Sequence, residues 1–103
     1  MMDLTIGEFM RVCNNNHFRS FFIDTRSSEN YIGDIGVRCS FDMVISMINP
    51  NRICFKSNEN TLWFNRVKRV KYDYNGGCHF IIICGNLLNQ EDDIFYDVIG
   101  VSC

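Results

Sequence analysis

The sequence predicts an α+β fold: an N-terminal capped helix and a small antiparallel β-sheet or partly closed barrel of about six strands, with a second short helix. Three observations carry that expectation. Thr5-Ile6-Gly7-Glu8 has the pattern of a capping box ahead of an apolar stripe at helical spacing. Most other apolar residues fall in short β-branched and aromatic runs. Short polar clusters separate those runs, which favours antiparallel pairing of successive strands.

In the first element the Thr5 hydroxyl can accept from the Glu8 amide while the Glu8 carboxylate reaches back to the Thr5 amide. Ile6, Phe9, Met10 and Cys13 then form one helical stripe, and Asn14-Asn15-Asn16 ends it. Residues 18–24 read as a strand with Phe18, Ser20 and Phe22 on one face and Phe21 and Ile23 on the other, so both faces have something to bury. A polar turn follows, and residues 31–37 read as a short strand weakened by Gly33 and Gly36. Ser40 suits the cap of the second helix, residues 41–48, closed by Asn49-Pro50-Asn51. Its Phe41, Val44, Ile45 and Ile48 keep helical spacing, although the β-branched pair makes a strand the competing reading.

Residues 53–56 and 61–64 flank a polar turn and read as a β-hairpin. The run over residues 61–74 exceeds the roughly ten residues of a regular strand, so a bulge or bend is expected near Asn65-Arg66. Asn75-Gly76 is the strongest turn signal. Residues 78–84 are apolar except for His79, as in a central strand covered on both faces. A polar loop over residues 85–93 precedes a last strand over 94–101.

The 103 residues suffice for a single domain, 1–103, with one core. With 47 % hydrophobic and 14 % aromatic residues, the chain has the apolar side chains that a disordered segment lacks. A net charge of −2 supplies no global field toward nucleic acid or an anionic membrane. No run approaches the roughly 18 apolar residues of a membrane span, and the N-terminus has no secretion-signal pattern, so the cytoplasm is the expected compartment. Six cysteines without a secretory context are expected to be free thiols.

Chemistry-bearing motifs are sparse. No Cys-x-x-Cys pair is present, and Cys78 and His79, adjacent in a strand, point to opposite faces, so no metal is expected. No nucleophile elbow frames a catalytic triad, and Gly33-x-x-Gly36 lacks the further glycine of a dinucleotide fingerprint, so no catalytic residue and no cofactor is assigned. His79 reads as a sheet histidine with one satisfied nitrogen. The most distinctive segment is Arg66-Val67-Lys68-Arg69-Val70-Lys71, flanked by Trp63, Phe64, Tyr72 and Tyr74. Basic residues interleaved with aromatics can hold single-stranded nucleic acid. Strand alternation splits these charges between faces, however, and makes Val70 and Tyr72 a core face. A protein-partner surface therefore ranks ahead of nucleic acid, with Trp63, Arg66, Arg69 and Lys71 as contacts. The acidic run Glu91-Asp92-Asp93 is the second candidate surface, suited to a basic groove on a partner.

The chain contains no alanine and one proline and is rich in Asn, Ile and Phe, a usage associated with AT-rich phage and bacterial genes. The expected function is a non-enzymatic protein-binding domain, specifically a phage or mobile-element inhibitor of a host or bacterial protein such as a defence nuclease. A nucleic-acid-binding module using the basic-aromatic strand is the alternative, and a small enzyme of unknown class the third reading.

Overall fold

A computed structural model describes residues 2–18, 20–26, 39–41, 43–47, 51–58, 61–73, 75–86 and 93–101. Within them the chain forms one helix and nine strands: β1 (Met2–Leu4), α1 (Ile6–Asn16), β2 (Ser20–Arg26), β3 (Cys39–Phe41), β4 (Met43–Met47), β5 (Arg52–Lys56), β6 (Thr61–Phe64), β7 (Val67–Asp73), β8 (His79–Cys84) and β9 (Ile94–Val101). The strands make two antiparallel sheets. The larger has the order β1-β7-β8-β9-β2-β3 and the smaller β4-β5-β6. No pairing joins β1 to β3 among the described residues, so the larger sheet is open and the barrel alternative is not realised. The architecture is α+β.

The helix starts where the capping box predicts. The Thr5 amide donates to Glu8 Oε1 at 3.0 Å, and the Glu8 amide donates to Thr5 Oγ1 at 3.1 Å. At the other end His17 adopts a left-handed conformation (φ 53°) and its amide donates to the Asn14 carbonyl. Ile6, Phe9 and Cys13, all on the predicted stripe, are buried.

The second helix is not formed. Residues 39–41 and 43–47 are extended, with β3 paired to β2 and β4 paired to β5 from Met43↔Lys56 to Met47↔Arg52. Helical spacing of the apolar residues made both readings locally consistent. The β-branched Val44 and Ile45 and the free edge of β5 decide for the strand, because pairing there satisfies a whole row of backbone groups. The count of nine strands, against about six expected, has the same kind of origin. A three-residue β1 adds to the edge of β7, and the supposed helix with its cap gives way to β4 and the end of β3. The short strand expected over residues 31–37 lies outside the described residues.

Among the described strands the chain changes sheet twice: between β3 and β4, and again between β6 and β7. The second crossing is the bend expected at Asn65-Arg66. Arg66 takes a left-handed conformation there (φ 57°), and neighbouring backbone pins it: the Gly85 amide donates to the Arg66 carbonyl at 3.0 Å and the Val67 amide to the Asn51 carbonyl at 3.1 Å.

Phe9 of α1 sits between the sheets, its ring edge-on to Phe80 of the larger (centroids 5.0 Å apart) and to Phe55 of the smaller (6.5 Å). Phe21 meets Phe55 at 5.3 Å, and Phe64 meets Tyr96 at 4.6 Å, which ties the facing surfaces together. Edge-on aromatic pairs add about 0.5–1.5 kcal/mol each to the burial of the rings. β8 is the central strand that its composition predicts: Phe80 and Ile82 face this core, while Ile81 and Ile83, on the opposite face, are 1 % and 0 % exposed. Val70 and Tyr72 of β7 are buried in the same core, as their alternation with Lys71 and Asp73 implies.

Candidate interaction surfaces

The bend at Arg66 divides the segment that the sequence offers as one surface. Trp63 stands on β6, in the smaller sheet, whereas Arg69 and Lys71 stand on β7, in the larger. A single basic-aromatic strand of the kind that tracks a nucleic-acid backbone is therefore not assembled. Arg66 is exposed at the bend itself. Lys71 is the register partner of Asp3, and its Nζ lies 3.8 Å from Asp3 Oδ1. The bulge between Val67 and Arg69 leaves both Lys68 and Arg69 exposed. Lys68 Nζ donates to Asp93 Oδ1 at 2.7 Å, so the acidic run and the basic segment meet at this pair. Glu91 and Asp92 lie outside the described residues.

Trp63 acquires neighbours that local sequence does not reveal. Its register partner is Cys54 of β5, and Arg52, two residues before Cys54, shares the same face. The Arg52 guanidinium carbon lies 4.1 Å from the indole centroid, and Arg52 Nε donates to Asn65 Oδ1 at 2.7 Å. Asn65 thus helps hold the guanidinium over a ring that remains 39 % exposed. The only signal that could have pointed to Arg52 was the hairpin register, since the two residues are far apart in the chain.

A second surface was missed altogether. Phe22 of β2 and Ile99 of β9 are register partners on the face of the larger sheet turned away from the core, and they are 39 % and 42 % exposed. The expectation that both faces of β2 bury side chains therefore fails at Phe22. On the same face His79 Nε2 is 2.8 Å from Asp97 Oδ1, which satisfies one ring nitrogen as expected.

The chemistry available to the thiols follows from burial. Cys13 and Cys84 are buried, and desolvation pushes each thiol up to about 12, with the Asp93 carboxylate adding to the shift at Cys84. Such thiols carry almost no thiolate at neutral pH and make poor nucleophiles. Among the described residues no three metal-ligating side chains cluster, no charged or polar residue is buried, and no buried side-chain polar atom lacks a partner. No helix there is long and apolar enough to cross a membrane. In comparisons with known proteins, the chain matches no family model, no curated protein and no solved structure.

Proposed function

We propose that this protein is a non-enzymatic domain that binds another protein through the outer face of its smaller sheet. One observation carries the reading: Trp63 is exposed and stacked under an Arg52 guanidinium that Asn65 holds in place. Trp and Arg are the residue types most enriched among interface hot spots, because each joins a large contact area to directed polar bonds. Holding the arginine before binding spares part of the side-chain entropy that association otherwise costs, about 0.5–1.5 kcal/mol per long side chain. The composition, with no alanine and many Asn, Ile and Phe residues, supports the finer reading of a phage or mobile-element inhibitor acting on a host protein such as a defence nuclease.

Affinity capture from a lysate of the source or host organism tests the proposal. A specific protein should be retained, and Trp63→Ala and Arg52→Ala should each release it without shifting the thermal melt by more than a few degrees. Retention unchanged in both variants would remove this face from the interface. Binding to single-stranded DNA or RNA that is lost in the same variants and weakens with salt would favour the nucleic-acid reading instead.

A further inference from the structure

A terminal strand leaves one row of backbone N–H and C=O groups unpaired, and that row is a template for a further strand. The larger sheet ends in β1 and β3, which are only three residues each, and α1 packs against β4 of the smaller. β6 is different. Its four residues, Thr61–Phe64, pair with β5 in unbroken register and have no strand on their other side among the described residues. The strand also lacks the usual protection of an edge, having no proline, no charged residue and no bulge.

The two faces of β6 differ in chemistry. Thr61 and Trp63 share the outer face with Arg52 and Lys56, while Leu62 and Phe64 turn inward against the core. β4, β5 and β6 together contain these two cations and no carboxylate, in a chain whose net charge is −2. Asp42 and Glu59, the acids that flank these strands in sequence, lie outside the described residues. Lys56 is exposed and makes no ion pair or hydrogen bond among the described residues. Arg52 commits Nε to Asn65 and one face to the indole, which leaves its terminal N–H groups for an acceptor.

We propose that β6 receives an extended acidic segment of a partner protein as a fourth strand of the smaller sheet. This deepens the protein-binding proposal and rests on it. Backbone hydrogen bonds along β6 would supply the pairing, and alternate side chains the selectivity. Acids on the outer face would lie beside Thr61 and Trp63, within reach of Lys56 and Arg52. Thr61 is short and is the register partner of Lys56, so the lysine can extend across it. The intervening apolar side chains would continue the inner face next to the half-buried Leu62. A second copy of this chain, pairing edge to edge, would bring Arg52 and Lys56 toward their own copies, and like charges oppose that arrangement.

The probe is the peptide acetyl-Glu-Val-Glu-Val-Glu-Val-amide, titrated to millimolar concentration into isotope-labelled protein. The NMR signals of the Thr61–Phe64 amides should shift, and the outward-facing amides among them should exchange more slowly with solvent. Lys56→Glu should keep the parent melt and weaken binding by about three- to fivefold, the upper scale of an exposed ion pair. The analogue with Lys in place of each Glu should bind the parent protein more weakly and the Lys56→Glu variant more tightly. Two further peptides carry N-methyl groups on alternate amides, one on the Glu and the other on the Val residues. Only one of them should lose binding, because only one set of amides faces β6. Unperturbed β6 amides at millimolar peptide would overturn the proposal, as would a lysine analogue that binds as tightly as the acidic peptide. Undiminished binding of both methylated peptides would overturn strand addition, and if Trp63→Ala still released the captured protein, the side-chain interface would stand without it. Dimerisation of the protein alone that protects the same amides would also overturn it, by giving the edge to a second copy.

Discussion

The Phe18 ring occupies the space that a side chain at position 100 would need: a Cβ on Gly100 would lie 2.7 Å from two of its ring atoms. Phe18 is held there by edge-on contacts with Phe21 at 5.7 Å and Phe80 at 6.1 Å, so it has little room to withdraw. The Gly100 amide meanwhile donates to the Cys78 carbonyl at 2.8 Å, which fixes the backbone of β9 against the end of β8. Gly100→Ala should therefore destabilise the fold by about 1–3 kcal/mol through overpacking. Urea titration would measure it. Phe18→Leu in the same chain should recover part of the loss, and strict additivity of the two changes would show that the contact is not the cause.

The capping box gives a second prediction. Thr5→Ala removes the acceptor for the Glu8 amide and should cost about 1 kcal/mol. The Thr5 amide donates to the Glu8 carboxylate, and this bond, with the adjoining Thr5 side chain and the Arg11 charge, holds its carboxyl below the usual range. A carboxyl depressed in the native state stabilises the fold above its unfolded pKa, and that contribution is lost as pH falls through the native value. Glu8→Gln, which can still cap but does not ionise, should flatten the acid side of the stability profile. Identical acid profiles for Glu8→Gln and the parent chain would place the titrating group elsewhere.

Burial orders the thiols. In the native protein Cys78, half-buried beside the β7–β8 turn, should be alkylated by iodoacetamide before the buried Cys13, Cys54 and Cys84. Denatured protein without reductant should show all six cysteines of the chain as titratable thiols. At high pH the shifts at Cys13 and Cys84, from an ordinary 9.0 up to about 12, mean that the native state keeps protons the unfolded chain has released. Their contribution is complete below the ordinary thiol range and fades as pH rises toward about 12. Cys13→Ala should therefore cost less at alkaline than at neutral pH. Mapping the alkylated peptides by mass spectrometry checks the order, and early modification of Cys13 would contradict the core placed around it.

What could be read from the chain depended on how local each decision was. The Thr5–Glu8 cap, the 53–64 hairpin, the turn after Asp73 and the strands at His79 and Ile94 announce themselves within a few residues, and all are present. Even at that turn the positive φ falls on Gly77 (72°), one residue beyond the Asn75-Gly76 signal, while the Asn75 amide donates to Asp73 Oδ1 at 3.0 Å. Phe41, Val44, Ile45 and Ile48 keep a spacing that fits a helix as well as a strand, and pairing along the edge of β5, together with the β-branched Val44 and Ile45, chooses between them. The division into two sheets is likewise non-local: the bend at Arg66 was legible, but that it sends Trp63 and Arg69 to different sheets was not. Arg52 and Asn65 meet Trp63 through hairpin register and a side-chain bond across the β5–β6 ladder, a relationship that spacing along the chain does not encode.

The Trp63–Arg52 stack yields the most direct measurement, because Trp63 is the chain's single tryptophan and its fluorescence reports on that face alone. The guanidinium covers part of the indole at 4.1 Å and leaves 39 % of the residue exposed. Arg52→Ala should uncover the ring, raise the rate of acrylamide quenching and shift emission toward the red. The accompanying loss of stability should be about 0.5–1 kcal/mol, the scale of a cation–π contact at a solvent-exposed site. Arg52→Lys should fall between the two, since an ammonium keeps the charge but does not lie flat on the ring or offer the Nε donor to Asn65. Asn65→Ala should act in the same direction as Arg52→Ala but more weakly, because it frees the guanidinium without deleting it. Quenching and emission unchanged in Arg52→Ala would mean that the arginine does not rest on the indole in solution. The prearranged anchor behind the proposed interface would then be lost, even with Trp63 still exposed.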